Sequence, residues 1–178
     1  MLKRDVDSSH VPGFDHYTLW KDGYIVRETN GKSFVVRGST PGRSTTPQVR
    51  LTNSRDQNSR RVMLSRLVLE VWPKPYPLHF EPDVDDLVAS FYDRNGANCS
   101  WDNLYWSTKR NVARLRYLGN DRMDFDYYAC KIINIETDFT ISFPNLISCA
   151  KHVGRDPIEV LDLTDEQHDD GDWQYLWC

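Results

Sequence analysis

The chain has 178 residues, 39% of them hydrophobic and 27% charged, a composition typical of a globular protein long enough to bury a core without covalent staples. No apolar run approaches the roughly 20 residues that cross a bilayer, and no apolar stretch follows the basic start MLKRDVDSSH, so neither a membrane protein nor a secreted one is expected. The formal net charge of -4 argues on its face against a polyanion as partner, until its distribution along the chain is considered.

Residues 1–16 read as a poorly ordered lead-in, and the pattern over 17–69 begins strand-like. Tyr24-Ile25-Val26-Arg27 and Ser33-Phe34-Val35-Val36-Arg37 flank Asn30-Gly31, a strong hairpin signal. Residues 38–48 form a Gly/Pro/Ser/Thr loop, followed by a strand at Gln48–Thr52 and a polar turn over 53–59. Within 61–72, Leu64, Leu67, Val68 and Val71 recur at i, i+3, i+4 and i+7, which predicts an amphipathic helix stopped by Pro73, Pro75 and Pro77. After an acidic loop over 78–86, short strands are expected at 87–92 and 103–106, with a turn-rich loop between them. Ser107 or Thr108 caps a helix running to about Leu118 and closed by Gly119-Asn120.

Residues 128–143 are strand-like again around the turn Glu136-Thr137-Asp138. A short helix over 144–153 ends at Gly154, and Asp156-Pro157-Ile158-Glu159 supplies an N-cap, a first-position proline and an acidic third residue for the next. Two helices so closely joined form either a helix-turn-helix or a helical hairpin that closes the core, and the acidic second helix would repel phosphates. The aromatics of the terminal WQYLWC pack back on the body or on a partner. Trp72 and Trp106 read as core residues. The fold class is α+β: an N-terminal β-meander, a central ββα module, and a C-terminal strand pair with two short helices. There is no phosphate-binding Gly-rich loop, no GxSxG elbow and no HExxH.

The charges are segregated. Residues 156–178 carry eight acids (Asp156, Glu159, Asp162, Asp165, Glu166, Asp169, Asp170 and Asp172) and no Lys or Arg, leaving 1–155 with a net of +4. Over 37–66 there are seven arginines (Arg37, Arg43, Arg50, Arg55, Arg60, Arg61 and Arg66) against the single acid Asp56. A basic body with an acidic tail follows, as in proteins that meet a polyanion. Cys99, Cys130, Cys149 and Cys178 are far apart and form no CxxC pair, so a zinc knuckle and a disulfide framework are not expected. Free thiols in a reducing cytosol are.

The stretch richest in information runs from Leu64 to Asn111. It supplies Arg66-Leu67-Val68 and Trp72, then Asn95-Gly96 and Asn98, then Asn103-Leu104-Tyr105-Trp106-Ser107-Thr108 and Asn111. In this it resembles the HNH homing endonucleases of phages. Tyr24, Val26, Gly31 and Lys32 are similar to the small β-module (NUMOD4-like) that often precedes such a domain. Residues 130–163 are more loosely similar to the strand-and-helix DNA-binding module (NUMOD1-like) that often follows. The resemblance implies a β-module over 17–60, a ββα module over 61–118, a strand/helix module over 128–163 and an acidic aromatic tail over 164–178. It implies a phage or prophage origin and a place in the cytoplasm of an infected or lysogenic bacterial cell.

In a ββα-metal nuclease a histidine ending the first strand activates water, while a carboxylate or carboxamide and a helical Asn or His hold a divalent cation on the scissile phosphate. Here the histidine is missing. Fixing Asn103 and the family loop length places that position at Phe91, with Ser90 beside it; aligning Asn95-Gly96 places it at Asp93, beside Tyr92. His10, His16, His79, His152 and His168 lie elsewhere, and His79, in the Pro-rich loop, is the one candidate for a relocated base. Asp93 is the other catalytic candidate, and Asp93 with Asn111 could hold Mg2+ or Mn2+ weakly. The expected activity is therefore nil or weak, as in a pseudo-enzyme. Arg50, Arg55, Arg60, Arg61, Arg66, Lys109, Arg110 and Arg114 are the expected phosphate contacts on double-stranded DNA. The alternatives are a protein-binding module that uses the acidic aromatic C-terminus, and an active metal-dependent nicking enzyme that uses Asp93 or His79.

Overall fold

The computed structural model describes residues 7–40, 42, 45–53, 59–78, 80, 86–120 and 128–178, an α+β arrangement of antiparallel sheets and helices. The chain divides into two compact units, Met1–Pro73 with Ala89–Leu104, and Lys74–Val88 with Tyr105–Cys178.

The first unit opens with β1 (Ser8–Val11), β2 (Phe14–Trp20), β3 (Tyr24–Thr29) and β4 (Lys32–Val35), antiparallel neighbours in that order. Residues 8–16, expected as a lead-in, instead hold β1, a turn at Pro12-Gly13 and the start of β2. The cause is pairing of β1 with β2, which buries Val11 along with Tyr17 and Leu19. The Asn30-Gly31 hairpin forms where expected, both residues at positive φ (52° and 73°), which matches the twist of the flanking strands. The Tyr17 hydroxyl accepts the Thr52 amide at 3.2 Å and ties this sheet to the next strand pair.

That pair is β5 (Gln48–Thr52) and β6 (Ser59–Met63), in the register Gln48↔Met63, Val49↔Val62, Arg50↔Arg61. Helix α1 therefore runs from Leu64 to Val71, three residues shorter at its start than expected. Val62 is buried beside Val49 in the ladder, and the Leu64 amide donates to the Pro47 carbonyl at 2.9 Å. Strand pairing thus claims Arg61–Met63 before helical phase can. Leu64, Leu67, Val68 and Leu69 bury the inner face of α1, each contributing about 1.5–3 kcal/mol of apolar burial.

Next come β7 (Leu87–Phe91) and β8 (Leu104–Thr108), which form a two-stranded sheet, and α2 (Lys109–Asn120). The ββα order expected from sequence is present. The loop between the strands includes a 3-10 turn at Trp101–Asn103. There the Trp101 amide donates to the Lys21 carbonyl at 2.7 Å, its indole Nε1 donates to the Trp72 carbonyl at 2.9 Å, and the Lys21 ammonium lies 5.0 Å from its ring centroid. One tryptophan so fastens the β2–β3 turn and the end of α1 to the loop.

The second unit is built on β9 (Cys130–Asn134), central in a three-stranded antiparallel sheet of order β10-β9-β11 with β10 (Thr140–Phe143) and β11 (Trp173–Trp177). The expected strand pair is thus a three-stranded sheet, because Trp173–Trp177, whose aromatics were expected to pack on the body or on a partner, pair with β9. Cys130, Ile132 and Tyr175 are buried, with Leu146, Cys149 and Ala150 of α3 (Leu146–Val153) and Ile158, Val160, Leu161 and Leu163 of α4 (Pro157–Glu166). Asn145 caps α3, Gly154 closes it in the left-handed region, and Asp156 caps α4 as its sequence indicates. Burial of Pro157–Leu161 along the first turns of α4 makes the pair a core-closing hairpin. No helix among the described residues is long and apolar enough to cross a membrane.

Candidate nucleic-acid interface

In the first unit the loop after β7 is organised by one carboxylate. Asp93 Oδ1 accepts from the Asn95 amide at 2.8 Å and from Asn103 Nδ2 at 2.9 Å, and Asp93 Oδ2 accepts from Asn98 Nδ2 at 2.7 Å. Asn103 reciprocates, its Oδ1 accepting the Asp93 amide at 3.1 Å, and its Nδ2 also reaches the Asn98 carbonyl. Asn95 Oδ1 caps the turn at Ala97, and Gly96 fits against the side chains of Thr45 and Thr46. Burial alone would raise the Asp93 carboxyl. The donors Asn98, the Asn95 amide and Asn103 outweigh it and hold the group below its ordinary value. The Asn-rich motif is therefore a hydrogen-bonded cage around Asp93. Leu104 and Trp106, which follow it on β8, are buried.

The arginines of this unit divide into neutralised and bare. Arg66 Nε meets Glu70 Oε1 at 3.0 Å, one helical turn on, and Arg60 Nη2 lies 3.6 Å from the other oxygen of the same carboxylate. Arg50 and Arg61 stand directly opposite each other across the β5–β6 ladder, both exposed, and neither has a carboxylate partner among the described residues. The Arg50 guanidinium donates to Ser59 Oγ at 3.1 Å. Like charges facing across a strand pair repel, so this face favours any anion that can sit over both. The first unit holds 13 basic and nine acidic side chains, a net of +4.

The second unit has the opposite balance, nine basic against 17 acidic side chains and a net of -8. Two of the cations expected to meet phosphate are already paired there: Lys109 Nζ with Asp86 Oδ2 and Arg114 Nη1 with Asp162 Oδ2, both at 2.6 Å. Arg110 is exposed without such a partner among the described residues. Asn111 is held by Asp156, whose Oδ2 accepts from Asn111 Nδ2 at 3.1 Å and from Ser107 Oγ at 2.5 Å while Oδ1 caps α4 at the Ile158 amide. Burial raises the Asp156 carboxyl, and the bonds from Ser107, Ile158 and Asn111 only partly offset it. Glu159, also buried, is pushed up to about 7 by burial, although its Oε1 accepts the Leu78 amide at 2.7 Å. Thr108 Oγ1 accepts the Asn111 amide and so caps α2.

The positions that the sequence marks for chemistry are occupied as follows. β7 ends on Phe91, which has no proton to exchange, and Ser90 precedes it. Both carboxylate oxygens of Asp93 are occupied by donors, and the Asn111 amide donates to Asp156. Among the described residues no three His, Cys, Asp or Glu side chains cluster in a way that could hold a metal. The donor set does not fit a tightly held Mg2+ or Mn2+, which needs several oxygen ligands free to turn toward it. Arg55 and His79 lie outside the described residues.

Sequence reasoning missed Glu70, Asp86 and Asp162 as the carboxylates that pair with Arg60 and Arg66, Lys109 and Arg114, and Asp156 as the acceptor that holds Asn111. Only Glu70 had a local signal, its i+4 spacing from Arg66. Asp86 is 23 residues from Lys109, and Asp156 and Asp162 are 45 and 48 residues from Asn111 and Arg114.

The acidic C-terminal segment is largely committed inside its own unit. Asp170 accepts from Arg155 Nε at 2.8 Å and from the Tyr175 hydroxyl at 2.7 Å, and Asp165 accepts from Trp177 Nε1 at 3.1 Å. No family model matches the chain, and no curated protein does. Among solved structures, it is similar to that of the HNH homing endonuclease I-HmuI, described for DNA binding and cleavage, at 17% identity and a TM-score of 0.48, over 97% of this chain and 98% of that one.

Proposed function

We propose that this protein binds nucleic acid, with double-stranded DNA as its partner, on a nuclease-like ββα scaffold that has lost its catalytic base. The observation that carries the reading is the pair Arg50 and Arg61, without a carboxylate partner among the described residues and opposed on the exposed face of β5–β6 in the unit of net positive charge. Two guanidiniums held a strand spacing apart suit adjacent phosphate oxygens, and such contacts give affinity with little sequence preference. The motif Asn95-Gly96, Asn98, Asn103-Leu104 and Trp106, followed by α2, supports descent from an HNH-type module. With Phe91 at the strand end and Asp93 committed to the loop, the protein is a pseudo-enzyme. A phage or prophage gene, acting in the cytoplasm of the bacterial host, fits that descent.

The test is fluorescence anisotropy of a labelled duplex across a salt series. Affinity falls steeply with salt. Arg50→Ala with Arg61→Ala weakens binding at least tenfold on every sequence and lowers the salt slope by about 1.8, or about 0.9 for each phosphate no longer neutralised. Unchanged affinity in the double variant would sink the reading. A supercoiled plasmid with Mg2+ or Mn2+ stays uncut.

A further inference from the structure

Helix α2 carries Lys109, Arg110, Arg114 and Arg116 within its first eight residues, the densest basic stretch of the second unit. Taken as a sequence, it is the obvious place for phosphate to bind. The structure divides these four cations into two kinds. Arg110 and Arg116 are exposed and have no carboxylate partner among the described residues. Lys109 is bound to Asp86 twice, its ammonium to Oδ2 at 2.6 Å and its backbone amide to the Asp86 carbonyl at 3.1 Å. Arg114 is bound to Asp162 at 2.6 Å, with Asp165 and Asp156 adding to the negative field around it.

We infer that Asp86 and Asp162 are built-in counter-ions that withhold Lys109 and Arg114 from nucleic acid, so that α2 contributes far less to binding than its sequence promises. The inference rests on the nucleic-acid reading above. Its physical basis is that a cation adds to polyelectrolyte affinity by neutralising a phosphate and releasing the counterion condensed there. A cation already matched by a carboxylate a hydrogen bond away is neutral as a pair. A phosphate that displaces the carboxylate does not remove it, because Asp86 is held by the backbone bond and Asp162 by α4. The displaced charge stays within a Debye length, roughly 8–10 Å at ordinary salt, and repels the incoming phosphate. Each exposed pair is weak in itself. What matters is that the anion is tethered.

Duplex binding by the full chain tests this with four variants of the acids and cations. Asp86→Asn with Asp162→Asn, which keeps shape and removes only charge, tightens binding three- to tenfold at low salt. It also steepens the salt slope, by up to about 1.8 for two recruited phosphates. Lys109→Ala with Arg114→Ala leaves Asp86 and Asp162 as uncompensated anions beside α2 and weakens binding severalfold at low salt. The same two alanines added to the Asn pair abolish the gain. Glu136→Gln with Asp138→Asn removes equal charge from the exposed β9–β10 turn and changes affinity less than twofold.

A gain that survives replacement of Lys109 and Arg114, a gain matched by the turn variant, or no gain from the Asn pair while the unaltered chain binds DNA would each overturn the inference and leave the nucleic-acid reading intact. Absence of duplex binding by the unaltered chain and by every variant overturns both.

Discussion

Asp93 and Asn103 hold each other by two opposed hydrogen bonds, the Asp93 amide donating to Asn103 Oδ1 at 3.1 Å and Asn103 Nδ2 donating to Asp93 Oδ1 at 2.9 Å. A carboxylate that sequence marks as a candidate for chemistry is thus the keystone of a loop. Asp93→Ala strands the donors of Asn95, Asn98 and Asn103, and Asn103→Ala removes both reciprocal bonds. Each variant lowers the stability of the first unit by about 2 kcal/mol, measured by urea unfolding followed through tryptophan fluorescence. Because the role is structural, EDTA or added Mg2+ leaves the midpoint of the unaltered chain in place. A chelator-induced loss would restore the metal reading of Asp93.

Asp156 is the corresponding node of the second unit, 2% exposed and bonded to Ser107, Asn111 and the Ile158 amide. Replacing it by Ala costs about 3 kcal/mol, one part for the helix cap and the rest for two donors left without an acceptor. Asp156→Ser keeps a good cap and recovers about 1 kcal/mol of that. Equal unfolding midpoints for the alanine and serine variants would show that the cap contributes nothing.

Glu159 makes the second unit sensitive to pH. Its carboxyl is raised by burial to about 7 in the folded chain, against about 4.3 for an unfolded glutamate. The folded state therefore binds the proton more tightly, and the associated stability is complete below about pH 4.3 and lost as pH rises through 7. Burial moves the Asp156 carboxyl the same way. Asp93 and Asp170 move oppositely and act only below their ordinary values, outside that window. Calorimetry between pH 5 and 8 shows stability falling by on the order of 2 kcal/mol with rising pH. Glu159→Gln, whose amide oxygen still accepts from Leu78, flattens the dependence and is the more stable protein at pH 8. A persisting slope in that variant would assign the effect to another group.

Gly23, at φ +79°, sits so close to the Cys99 carbonyl and the Ser100 amide that a Cβ would overlap backbone. Gly23→Ala combines left-handed strain with that overlap and costs about 3 kcal/mol, read as a lowered melting temperature of the first unit. A melting temperature within a degree of the unaltered chain would mean that the β2–β3 turn does not need to rest on the loop.

Wherever the signal is local, the elements are legible. Asn30-Gly31 specified its hairpin, Asp156-Pro157 its helix start, and Gly154 its helix end, because each acts through its own backbone angles or through amides a few residues away. β1 and the start of β2 were hidden because Val11 is the one buried position over residues 8–16, too little to show a period. Arg61 to Met63 read as helix although the apolar spacing begins only at Leu64; pairing with β5 decided otherwise. The candidate site was legible in its residue types and illegible in its charges. Glu70 aside, which cations are paired depends on carboxylates tens of residues away, and a list of basic residues cannot reveal that.

The sheet order β10-β9-β11 has a consequence for how the chain is made. β9 and β10 are joined by a short turn and can pair as soon as both leave the ribosome, but the other edge of β9 waits for residues 173–177. Until those residues emerge, the central strand of the second unit presents an open edge, the kind that recruits strands from neighbouring chains. The interval between synthesis of residue 143 and residue 177 is therefore when this protein is most exposed to aggregation. A chaperone that covers strand edges would protect it most in that interval.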